Sequence, residues 1–188
     1  MQNTYLTSYF PLMSICLFSL SLAKYTEGII VLWLEQVGMF AQLGDWFSEH
    51  QFLLMLLFIL TLIYFMIFSA LKLIANTINE LTMLFFSKDR DGTGLSTVRS
   101  GAWIFLIGSL ASIFVMFSFP LLMATLLLSS FIYFVFFVYK VSDSLSSAGL
   151  VGMIFFQLFF WFLFITSVFY ALFTLYEGFL ASLPLPPS

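Results

Sequence analysis

Lys24 and Glu27 stand three residues apart in an otherwise apolar stretch, and Ser21 precedes Lys24 by the same step. On a helix that spacing lets the lysine and the carboxylate pair. Ionisable groups within a membrane-length apolar segment are candidates for an ion or solute path, because hydrocarbon tolerates them only when paired or wetted. The plainer reading is an interfacial pair near a helix end. Glu35 carries the same two readings further along the chain. A second set, Lys72, Asn76, Asn79 and Glu80, follows three- and four-residue steps beyond the next apolar run. It reads either as the lining of a cytoplasmic vestibule or as the solvated face of a helical extension.

The remaining chemistry is thin. The segment from Asp89 to Ser100 places Asp89, Asp91 and Thr93 where an EF-hand loop has ligands, with Gly94 at the turn. Position twelve is Ser100 instead of the bidentate glutamate that such a loop needs, so a plain connecting loop is expected. A single cysteine, Cys16, and a single histidine, His50, exclude an intramolecular disulfide and a cysteine-based zinc site. No nucleophile–base–acid set, phosphate loop or zinc-protease pattern occurs. No catalytic, cofactor-binding or metal-binding residues are therefore expected, and no cofactor.

The elements around these residues follow from composition. Of 188 residues 62% are hydrophobic and 8% are charged, against about 25% charged in soluble domains. So few charges cannot cover a soluble fold of this size. The net charge of −3 leaves no basic face for nucleic acid. The expected fold is all-α, a polytopic transmembrane helical bundle forming one domain over residues 1–188. A span needs about 20 apolar residues, and the apolar runs give five, at about 9–34, 52–72, 101–118, 121–139 and 150–175.

Three features of these runs are informative. In the first, Ser14, Ser21, Gly28 and Glu35 recur every seven residues, which favours one long helix through Lys24 with a small-residue packing stripe. Pro11 suits that helix's first turn. The second run continues its helical pattern beyond the bilayer as an extension, followed by a cytoplasmic loop, over 73–100. The third, residues 102–139, carries no charge and is too long for one crossing. Pro120 near its middle predicts a hairpin turning at Phe119–Leu121. Gly101, Gly108 and Ser112 favour close helix approach there, and Gln157 in the last run is expected to hydrogen-bond within the bundle.

Lys72, Lys88, Arg90, Arg99 and Lys140 fall in the connections after the second and fourth spans. Basic residues favour the cytoplasmic side, so the N-terminus is expected inside and the C-terminus outside.

Asn3, Thr4, Tyr5, Leu6 and Thr7 with Tyr9, Phe10 and Pro11 resemble the opening of the YufK-type small membrane proteins of Bacillus-like bacteria. The segments from Phe68 to Ala75 and from Leu84 to Asp89 resemble that family too. The resemblance implies a multi-pass protein of the bacterial plasma membrane and supplies no activity. The expected function is a non-enzymatic accessory or scaffold component. Its partners would be the lipid bilayer and other membrane proteins or further copies of itself. The alternative is a small oligomeric transporter or channel using Lys24, Glu27 and Glu35.

Overall fold

The structure is a computed structural model describing residues 4–40, 48–87 and 98–182. Among these residues the chain is helical, with no strand beyond one isolated bridge between Ser87 and Leu145. The helices are α1 Thr4–Gln36, α2 Glu49–Phe86, α3 Ala102–Phe114, α4 Phe119–Val141 and α5 Ser147–Ser182. The EF-hand-like positions Asp89, Asp91, Thr93 and Gly94 lie outside the described residues.

α1 runs unbroken through Lys24, as the long-helix reading expects. It starts earlier, however, and Pro11 lies inside it instead of in its first turn. It stops at Gly38, whose φ of +74° is the left-handed conformation that glycine adopts without strain. α2 starts with a capping box: Ser48 Oγ accepts from Gln51 N, and Gln51 Oε1 accepts from Ser48 N. It then continues for 38 residues, about 57 Å, well beyond a hydrocarbon core of roughly 30 Å.

The 102–139 run does fold back. Phe105 packs against Tyr133, Gly101 faces Phe136 and Gly108 abuts Ser129, so α3 and α4 are antiparallel. The turn lies at 115–118, before the position expected at Phe119–Leu121. Pro120 instead occupies the first turn of α4, and Leu122 N donates to Ser118 O. The cause is local: the proline's fixed φ suits a helix start, where its missing N–H is no loss. A second difference follows. α3 has 13 helical residues where the 101–118 span was expected. At about 20 Å it is shorter than a hydrocarbon core. The other four helices are long and apolar enough to cross a membrane.

α1 lies against both α2 and the hairpin. It runs parallel to α3, as the Phe10–Trp103 rings at 4.2 Å and the Ser21 and Ser112 hydroxyls at 2.9 Å show. It runs antiparallel to α2, where Phe18 meets Phe68 and Thr26 Oγ1 lies 2.8 Å from Tyr64 Oη. Only the first half of the seven-residue stripe packs. Ser14 and Ser21 are buried, whereas Gly28 and Glu35 are exposed. A seven-residue repeat drifts by about 20° per heptad around a straight helix, and α3 ends before it could cover Gly28.

α5 joins through α2. Phe156 contacts both Phe85 and Phe86, and Gly152 lies under the Phe86 ring. A buried cluster of Met83, Val98, Phe137, Val141 and Met153 ties the helix ends together there. Ser87 and Leu145 bridge the two connections at that same end.

Gly108 is the tightest approach, since a Cβ there would overlap Ser129 Oγ, whereas a Cβ on Gly28 meets nothing within 4 Å. Gly108→Leu should therefore destabilise the protein by about 1–3 kcal/mol. Gly28→Ala should be neutral or stabilising by up to about 1 kcal/mol. Thermal unfolding of both variants in detergent measures the difference.

Candidate functional site

Two polar groupings matter, and they lie at different levels of the bundle. The first is on α1. Lys24 Nζ lies 2.7 Å from Glu27 Oε2; the lysine side chain is 46% exposed and the glutamate 3%. The pair thus joins a buried carboxylate to a cation at the bundle surface. It sits level with the hairpin turn, because neighbouring Tyr25 stacks on Phe119. Ser21 does not join this pair. Its hydroxyl lies 2.9 Å from Ser112 Oγ on α3. Glu35 lies two turns beyond, exposed, and the fold does not bring it to Lys24 or Glu27.

The serines of α1 show how an apolar helix carries hydroxyls. Ser14, Ser19 and Ser21 each donate to the carbonyl four residues earlier. Each hydroxyl is thereby satisfied within its own helix and leaves a small surface for a neighbour. That explains how three serines are buried in an apolar helix.

The second grouping surrounds a cavity of about 520 Å³ between the helices. All five helices contribute to its walls, and most of the lining is apolar. α2 supplies Lys72, Asn76 and Asn79 from one face, so three residues of the expected vestibule stripe do share a cavity; Glu80 is exposed elsewhere. Gln157 of α5 donates from Nε2 to Asn79 Oδ1 at 2.9 Å, the intrabundle hydrogen bond its position implies. Tyr133 of α4 lines the cavity as well. Lys72 Nζ lies 5.8 Å from the centre of the same Tyr133 ring, within cation–π range. Among the described residues no carboxylate pairs with Lys72.

The cavity is polar at one end and apolar at the other. Asn79 and Gln157 face the end where α2 and α4 finish and α5 begins. Phe18, Phe68 and Leu126 line the opposite end. The walls given by Leu127 of α4 and Leu158 of α5 are themselves exposed. The cavity therefore opens sideways between those two helices.

Tyr133, Ser129 and the pair of Gly152 with Phe86 escaped the sequence reading. Ser129 with Ser130 in an apolar run, and Gly149 with Gly152 three apart, were the available signals. A tyrosine among the phenylalanines of α4 gave none.

The geometry of the α1 pair yields a test. Lys24→Leu strands the Glu27 carboxylate and should cost about 1–3 kcal/mol. Adding Glu27→Gln should recover most of that loss, since a neutral amide no longer needs the cation. Unfolding of the single and double variants in detergent gives the coupling directly.

Comparison with known proteins adds kinship. Residues 27–184 match the family of unknown function DUF5366. The uncharacterized membrane protein YufK of Bacillus subtilis (strain 168) is 41% identical over 184 residues, covering 98% of this chain and 100% of that protein. No solved structure matches. A match along almost the whole of both chains, together with the family match, means that this protein belongs to DUF5366, the family of YufK-like proteins.

Proposed function

We propose that this protein is a non-enzymatic, multi-pass component of the bacterial plasma membrane that serves as an accessory or scaffold subunit, associating with other membrane proteins through its helices. In this reading α1, α2 and α5 cross the bilayer, and the α3–α4 hairpin enters and leaves on one side. The N-terminus is cytoplasmic and the C-terminus external. The basic residues of the two connections at the Ser87–Leu145 end support that orientation. Trp33 and Tyr176, both exposed, then fall near the external interface.

One observation carries the scaffold reading. Every residue of α5 from Ile165 to Ser182 is exposed. This stretch, about 27 Å long, is left uncovered by the rest of the described residues. Ser167, Ala171, Thr174 and Gly178 recur at four- and three-residue steps along it. Such a line of small residues lets another helix approach closely. Transport through Lys24, Glu27 and Glu35 is less well supported, because Lys24 and Glu35 are exposed and Glu35 stands apart from the pair.

Affinity purification in mild detergent should recover a stable complex. Replacing Ala171 and Gly178 together with Leu should disperse that complex while the protein keeps its helical content. Recovery of the protein alone, with no neighbour captured by cross-linking in intact membranes, would contradict the scaffold reading. Reporter fusions at the C-terminus should read as external; a cytoplasmic signal there would overturn the proposed orientation.

A further inference from the structure

We propose that the sideways-opening cavity holds one acyl chain of an anionic phospholipid, with Lys72 as the counter-charge to its phosphate. The inference concerns a different surface from the outer half of α5 and does not depend on the scaffold reading.

Three observations on the cavity lead to that occupant. The first is charge. Lys72 lines a mostly apolar space and, among the described residues, has no carboxylate partner. Its near neighbour is the face of the Tyr133 ring, 5.8 Å from Nζ to the ring centre. A ring face attracts a cation without neutralising it. A half-buried ammonium facing an apolar cavity is costly unless an anion accompanies it, so the cavity is complementary to an anion bearing apolar substituents.

The second is depth. At about 1.5 Å per residue, Lys72 lies roughly 30 Å along α2 from Phe52, close to the thickness of a hydrocarbon core. If the second span runs from Phe52 to Lys72, as its apolar run suggests, Lys72 is at the cytoplasmic interface, where phosphates lie. The apolar end of the cavity, at Phe18, Phe68 and Leu126, points back towards the bilayer centre. That is the polarity of a lipid in the leaflet on the side of the Ser87–Leu145 connections, headgroup outward and chain inward.

The third is access. α5 meets α2 but makes few contacts with α4. The exposed Leu127 and Leu158 flank the gap between α4 and α5, so a chain enters from the bilayer without crossing water. The volume of about 520 Å³ falls in the range of roughly 300–1,000 Å³ for small-molecule sites. Polar groups at the headgroup end are already engaged, since Gln157 donates to Asn79 at 2.9 Å. Lys72 is left as the charged anchor, with Asn76 lining the wall beside it.

The test uses the full-length protein in mild detergent, with native mass spectrometry after adding phosphatidylglycerol or phosphatidylethanolamine of identical acyl chains. The wild type should carry phosphatidylglycerol preferentially by about fivefold or more, as expected for one lysine near an anionic headgroup. Lys72→Gln should abolish the preference and Lys72→Arg should keep it. Ser130→Trp fills the cleft without touching the charge, because Ser130 Oγ bonds only Leu126 O of its own helix. That variant should lose the bound lipid of either kind. Equal binding of the two lipids by the wild type overturns the proposal, and so does an undiminished preference in folded Lys72→Gln. Should Lys72→Gln fail to fold by circular dichroism, Ser130→Trp decides: unchanged phosphatidylglycerol binding there overturns it. Displacement of phosphatidylglycerol by an equimolar free fatty acid overturns the assignment to a phospholipid.

Discussion

The bundle depends on how closely α1, α3 and α4 approach one another where their side chains are smallest. For a chain proposed to live in lipid, apolar burial between helices gives little net drive, because the surroundings are equally apolar. What remains is close packing and a few hydrogen bonds. Ser21 meets Ser112 at 2.9 Å, and Gly108 sits against Ser129 so tightly that no Cβ fits. These contacts form one seam through three helices. Hydroxyls along it are satisfied by carbonyls of their own helices, including Ser112 to Ser109 O and Ser129 to Thr125 O. The seam is thus dense yet leaves no buried side-chain polar atom without a partner among the described residues.

α5 stands outside that seam, and this accounts for the cavity. It is held at its start, where Phe86 covers Gly152 and Gln157 bonds Asn79. Beyond Gln157 its side chains are too large to close on α4, where Phe131 and Phe134 face Leu158 and Trp161 across the gap. Two helices joined at one end and kept apart by bulky side chains leave a wedge. Its polar groups sit where Asn79 and Gln157 fasten α5 to α2.

Much of the local structure was legible in the sequence because it rests on single residues with strong backbone preferences. Pro120 implied the fold-back. The serine spacing implied that α1 continues past Lys24. Gly108 and Ser112 marked a close approach. The turn falls a few residues before Pro120, because the proline starts a helix instead of centring the turn. The seven-residue stripe suggests packing as far as Gly28 and Glu35, which are exposed, because the length of α3 cannot be seen from an apolar run. The cavity itself was not legible. Lys72, Asn76 and Asn79 shared a face, but nothing local says that Tyr133 and Gln157 arrive opposite them. That follows from how five helices cross, which apolar strings of similar composition leave open.

The central claim is the close seam, and its most direct measurement is oxidative cross-linking in native membranes. With Cys16 replaced by Ala, Ser21→Cys and Ser112→Cys place two thiols where hydroxyls now lie 2.9 Å apart. The account predicts rapid disulfide formation between them, and none between Gly28→Cys and Ser112→Cys. Failure of the first pair to cross-link, while the second does so readily, would contradict it.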